Sequence, residues 1–124
     1  PKVLRRRRHL ARLYDSILDR KHVFTPSRDA NIADTFHTYV IQVDHRDELQ
    51  SHLAAEGVST AIHYPIPIHL QPASREMGLG LGSFPETEEQ STRILTLPIN
   101  QTLQPFQIEY VGKCLNEFYE QNND

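Results

Sequence analysis

The sequence predicts an α+β layer fold: a small three-stranded sheet with helices packed on one face. Three observations point to it. Helical and β-branched stretches alternate in the order α, β, α, β, loop, short α, β, α. Each strand candidate is short, so the sheet is small. The 124 residues, 38% of them hydrophobic, suffice for one modest core but not for two.

From the N-terminus, Leu4, Leu10, Leu13, Tyr14, Ile17 and Leu18 recur at spacings of three and four, which predicts a helix ending near Asp19 to Lys21. Residues 25–34 lack a period and read as a loop. Phe36 to Val43 is rich in β-branched and aromatic residues and predicts the first strand. Asp44, with Asp47 three residues on, reads as a helix N-cap in a capping-box arrangement. Leu49 and Leu53 give that helix its core face, and Gly57 stops it. Val58 to Ile62 predicts the second strand. A helical turn is expected over Leu70 to Arg75. Gly78 to Gly82 lacks the spacing of either nucleotide-loop signature and reads as a flexible linker. Ser83 and Glu86 form a second capping box, with Pro85 in the first turn and acidic residues at the dipole's positive end. Ile94 to Pro98 predicts the third strand. The last helix runs from about Pro105 to Tyr119, with Phe106, Tyr110, Val111, Cys114, Leu115 and Phe118 on one face.

Bulk properties narrow the function classes. No apolar run approaches the roughly 20 residues that cross a bilayer. Arg5 to Arg8 leads into an amphipathic stretch, unlike a signal peptide. A lone Cys114 suits a reducing compartment, so the cytoplasm is expected, with the thiol buried and inert on the last helix. A net charge of −3 argues against nucleic acid as a partner, and Arg5 to Arg8 with Arg12 reads as the solvated face of the first helix. No membrane partner is expected. The chain begins at Pro1 inside a helical pattern, so a piece of a longer protein is expected.

Chemistry concentrates between Gly57 and Ala73. A β-branched run leads into His63 and Tyr64. Pro65, Pro67 and Pro72 stiffen the segment beyond them, and His69 and Gln71 stand at its far end. Polar rings on a stiff loop lose little entropy when a ligand binds, and donors and acceptors of this kind suit hydroxyls and phosphates. The competing reading packs Tyr64 into the core and makes one histidine a buried hydrogen-bonding residue. His63, Tyr64, His69 and Gln71 are the candidate substrate contacts. A metal site is not expected, because the seven histidines form no ligand pattern. No serine sits in a nucleophile elbow, and no catalytic residue is assigned.

Several blocks together resemble a known family. They are Phe36-His-Thr-Tyr-Val-Ile; Arg46-Asp-Glu-Leu with Leu53; Gly57-Val leading to Ile62-His-Tyr-Pro-Ile-Pro-Ile-His-Leu-Gln-Pro-Ala; Gly82-Ser-Phe-Pro-Glu-Thr-Glu; and Leu95-Thr-Leu-Pro-Ile. In these, about residues 1–119 resemble the C-terminal domain of the DegT/DnrJ/EryC1/StrS aminotransferases. The resemblance implies the small domain of a fold type I enzyme that uses pyridoxal phosphate. Such an enzyme moves an amino group from glutamate to a nucleotide-linked keto sugar by a ping-pong mechanism, in deoxysugar or surface-polysaccharide biosynthesis. It implies a homodimer, and a large domain of the same polypeptide holding the cofactor on a lysine shortly after a Ser-Phe pair. Here Ser83-Phe84 is followed by Pro-Glu-Thr-Glu, and Lys2, Lys21 and Lys113 lie in other contexts. Residues 1–124 are therefore expected to be one C-terminal small domain, binding no cofactor and inactive alone, whose His63 and Tyr64 approach the sugar, with His69 and Gln71 flanking them. The alternative is a stand-alone nucleotide-sugar-binding or regulatory module without catalysis.

Overall fold

The computed structural model describes residues 2–122. Helix α1 spans Lys2–Ile17, strand β1 Val23–Phe24, strand β2 Tyr39–Val43 and helix α2 Arg46–Ala55. Two 3-10 turns, Ile68–Leu70 and Pro72–Met77, lead to helix α3 at Pro85–Arg93. Strand β3 at Ile94–Leu97 and helix α4 at Pro105–Gln121 complete the chain's elements. The sheet is antiparallel in the order β1-β2-β3, with Val23 opposite Val43 and Tyr39 opposite Leu97.

Alternation along β2 separates its two faces. Tyr39, Ile41 and Val43 are buried, and Val40 and Gln42 between them are half-exposed. The buried set joins Leu95 and Leu97 of β3 against Leu10 and Tyr14 of α1, Leu49 and Leu53 of α2, and Ile108 and Leu115 of α4. The Tyr14 and Tyr39 rings meet at 4.7 Å between centroids. Helix α4 packs against both α1 and α2. The opposite face of the sheet carries Phe24, Val40, Gln42 and Ile94 and stays open to half-open.

The α+β class and the three-stranded sheet are as expected, but one strand is different. Val58 to Ile62 contributes a single bridge, Ala61 to Thr96, and the third strand is Val23–Phe24. The two-residue strand has too few residues to show a period, so its pairing with β2 decides its conformation. Residues 36–38 precede β2, with Phe36 at a positive φ of 48°.

Both expected capping boxes are replaced. His45, with φ 54° and ψ 38°, is the N-cap of α2 and makes no side-chain cap bond. The Asp44 carboxylate instead stands 3.2 Å from Arg93 Nε, and its carbonyl accepts from the Tyr119 hydroxyl. Phe84, not Ser83, is the N-cap of α3. Gly57 does stop α2: at φ 77° its N–H donates to Ala54 and the Val58 N–H to Leu53, a Schellman closure.

Two further expectations change. On α4 the buried stripe is Ile108, Val111, Cys114, Leu115, Phe118 and Tyr119, whereas Phe106 and Tyr110 are exposed and line an apolar groove beside Gly57 and Val58. Three of the clustered arginines are not simply solvated. Arg6 donates to the Leu103 carbonyl, Arg7 to those of Phe36 and His37, and Arg8 to those of Asp34 and Ala33. Guanidinium forks fasten two loops to α1, because those carbonyls have no strand to pair with.

Candidate functional site

The bridge at Ala61 is the anchor from which the site grows. Ala61 and Thr96 exchange both backbone hydrogen bonds, 3.2 and 2.7 Å, so the chain leaves β3 at a defined height. Two residues later His63 Nδ1 lies 2.9 Å from Thr96 Oγ1. The peptide joining His63 to Tyr64 is cis. The two rings stand edge to face at 5.3 Å. Both side chains are exposed, Tyr64 at 70%. Beside His63 a recess of about 330 Å³ is lined by the polar His37, Thr38, Thr60, His63 and Thr96 together with the apolar Leu97, Pro98 and Ile99, among others.

From Tyr64 onward the loop is closely tied. Pro67 is buried, Gln71 Nε2 donates to the Ile66 carbonyl at 3.3 Å, and Ser74 Oγ donates to the Ile68 carbonyl at 2.7 Å. His69 is 7% exposed, and its Nε2 lies 2.8 Å from Glu88 Oε1 on α3. The Glu88 carboxylate also accepts from the backbone N–H of Gly82 and of Phe84. Those contacts, the Gly82 N–H first and His69 and Phe84 after it, hold the Glu88 carboxyl below the ordinary carboxylate range. The Gly78 to Gly82 segment, expected as a flexible linker, is thus pinned at Gly82.

The four candidate residues therefore divide. His63 lines the recess, and Tyr64 stands exposed against its ring without lining the recess itself. His69 turns inward as a buried hydrogen-bonding histidine, and Gln71 is half-buried and closes the loop. Sequence reasoning missed three residues of the site: His37, Thr96 and Glu88. Thr96 was findable, because strand alternation puts it on the face opposite Leu95 and Leu97. Glu88 carries no signal in the sequence beyond a favourable charge at a helix start.

The lysines do not fit a Schiff-base site. Lys2 and Lys21 are exposed, Lys113 lies on α4 3.6 Å from Glu117, and none lines the recess beneath His63. Among the described residues no group of three or more His, Cys, Asp or Glu could hold a metal ion, and no helix is long and apolar enough to cross a membrane.

Residues 1–116 match the DegT/DnrJ/EryC1/StrS aminotransferase family. The chain belongs to that family. Among its relatives is the "Pleiotropic regulatory protein" of Geobacillus stearothermophilus, 37% identical over 117 residues, which are 92% of this chain and 31% of that protein. Another is the dTDP-3-amino-3,4,6-trideoxy-alpha-D-glucose transaminase of Streptomyces venezuelae, 38% identical over 68% of this chain and 22% of its own length. Of the solved structures, S. venezuelae DesV in complex with a ketimine intermediate superposes with a TM-score of 0.90 at 34% identity, over 95% of this chain and 32% of that one. A DegT/DnrJ/EryC1/StrS aminotransferase from Brucella abortus gives 0.86 at 29%, over 94% and 31%. The chain spans a third or less of these relatives and matches the C-terminal portion of such sugar aminotransferases. The family is pyridoxal-phosphate dependent.

Proposed function

We propose that residues 1–124 are the small domain of a nucleotide-sugar aminotransferase and present His63 and Tyr64 to the sugar. The observation that carries the reading is the exposed Tyr64 beside His63, which itself lines a recess of mixed hydroxyl, imidazole and apolar character, both on a loop with little freedom. Such a surface orients a hydroxyl-rich ligand at low entropic cost. Pyridoxal phosphate, bound elsewhere in the longer polypeptide, would supply the electron sink for amino transfer. This domain's own residues bind and orient, so the chain alone is inactive. The open sheet face bearing Phe24, Val40 and Gln42 would pack on the large domain. Glutamate as donor, a keto sugar on a nucleotide as acceptor, a homodimer and a cytoplasmic location complete the proposal.

Tyr64→Ala in the full-length enzyme tests it. The side chain is 70% exposed, so the melting temperature should stay within about 2 °C while KM for the keto sugar rises about tenfold. Steady-state kinetics and calorimetry on the same preparation read both. A clear loss of melting temperature with KM unchanged would assign Tyr64 to packing.

The second reading, a binding or regulatory module without catalysis, draws support from a relative named as a pleiotropic regulatory protein. An immunoblot of source-cell lysate separates the two. A native band near 14.3 kDa supports the module, and one several-fold larger supports the aminotransferase.

A further inference from the structure

The loop bearing His63 and Tyr64 is fixed at two points, and the far one depends on a residue outside it. At the near end His63 holds Thr96. At the far end His69, 7% exposed, meets Glu88, whose side chain is 13% exposed. Glu88 Oε1 stands 2.8 Å from His69 Nε2, 2.9 Å from Gly82 N and 3.2 Å from Phe84 N, and Oε2 stands 2.8 Å from Gly82 N. Phe84 covers His69 edge-on at 4.9 Å. One carboxylate with three donors in a sheltered site is a stiff node, since each bond is charge-assisted. Little slack separates it from the exposed rings. Pro65 and Pro67 fix two of the intervening φ angles, and Gln71 and Ser74 tie the carbonyls of Ile66 and Ile68. A shift of His69 is passed along the loop rather than absorbed.

We propose that Glu88 is a positioning residue: acting through His69, it sets where Tyr64 and His63 stand while touching no substrate itself. This rests on the substrate reading of Tyr64 and His63 given above. Glu88 would then decide how well the keto sugar is held, and the amino-transfer step itself would not depend on it.

Glu88→Gln in the full-length enzyme tests this, beside Tyr64→Ala. The amide keeps the shape, but its NH2 meets the Gly82 N–H donor to donor and the charge is gone. KM for the keto sugar should rise about tenfold with kcat within about twofold, the signature of lost binding rather than lost chemistry. Hydrogen exchange read by mass spectrometry should quicken in residues 63–70 as well as 78–84. Quickening confined to 78–84, with KM unmoved while Tyr64→Ala raises it, overturns the positioning role and leaves the substrate reading intact. If Tyr64→Ala also leaves KM unmoved, the substrate reading falls with it. Should Glu88→Gln fail to fold, His69→Leu breaks the node from the other side and spares the Gly82 and Phe84 contacts. The same rise in KM and the same quickening at 63–70 are expected, and their absence overturns the proposal.

Discussion

Asp15 shows how one carboxylate can organise a segment that has no secondary structure of its own. Its Oδ1 accepts from the Tyr39 hydroxyl at 2.7 Å, and Arg28 reaches both of its oxygens at 3.3 Å. The Arg28 guanidinium also lies over the rings of Phe36 and Tyr39, at 5.0 and 5.5 Å. Helix α1, strand β2 and the 25–36 segment therefore meet at this residue, and the irregular segment lies against α1. Asp15→Ala leaves the phenol of Tyr39, a residue only 1% exposed, without its acceptor and the half-sheltered Arg28 guanidinium with only the more distant Asp34 carboxylate at 4.0 Å. Urea unfolding should show a loss of about 2 kcal/mol, because an orphaned buried donor retains its full desolvation cost. Asp15→Asn keeps an acceptor for Tyr39 and should cost about half as much. The double variant Asp15→Ala with Tyr39→Phe should lose less than the sum of the two single losses. Strict additivity would mean that the hydroxyl contact contributes nothing.

At the scale of elements, the contact of α1 with α4 is close because Gly112 allows it. A Cβ built there would stand 2.5 Å from Ile17 Cδ1 and 2.8 Å from Cγ1. Gly112→Ala gains about 1 kcal/mol of helix propensity, but overpacking costs about 1–3 kcal/mol, so a net loss near 1 kcal/mol is expected. Adding Ile17→Ala leaves only its Cβ, at 3.7 Å, and should reverse the sign of the Gly112 substitution in chemical denaturation. An unchanged sign would mean that the helices shift apart instead. The helices were legible in the sequence because apolar stripes such as Leu10, Tyr14 and Leu18 carry their own period. The strand β1 was not, since two residues have no period and only the partner strand defines them. Val58 to Ile62 misled for the opposite reason: its β-branched composition is real, but it meets β3 at Ala61 alone. The His63–Tyr64 loop stood out through its prolines. Glu88 did not, because its role comes from folding α3 against a turn nineteen residues earlier, a separation no local pattern encodes.

Taken as a whole, the molecule encloses three tyrosines whose hydroxyls each donate to a fixed acceptor: Tyr14 to the Pro98 carbonyl, Tyr39 to Asp15 and Tyr119 to the Asp44 carbonyl. They join α1, β2 and α4 to the rest of the core, so their protonation is a condition on the entire fold. Burial is the largest cause raising all three above the ordinary 10.0, with the neighbouring phenol adding for Tyr14, the Asp15 hydrogen bond and charge for Tyr39, and Asp44 and Glu48 for Tyr119. Linkage gives the sign. With folded values above the unfolded one, the contribution is complete below pH 10 and is lost as pH climbs toward the folded values, because only the unfolded chain releases these protons. Each fully held tyrosine costs about 1.4 kcal/mol per pH unit above 10, so the three together remove at most about 4 kcal/mol by pH 11, with solvent screening reducing the shares of Tyr39 and Tyr119. That is a large part of the 5–15 kcal/mol typical of a domain. The protein should therefore unfold cooperatively near pH 11 to 12, and in a background with exposed Tyr64 and Tyr110 replaced by Phe the tyrosinate absorbance should rise in step with the loss of helical circular dichroism. Tyr39→Phe, which deletes one of the three titrations, should make the alkaline branch of the stability curve less steep by about a third between pH 10 and 11. With exposed Tyr64 and Tyr110 replaced by Phe, a tyrosinate signal that rises smoothly through pH 10 while the helices persist would mean that the three enclosed hydroxyls ionise in the folded state, and that burial does not hold their protons.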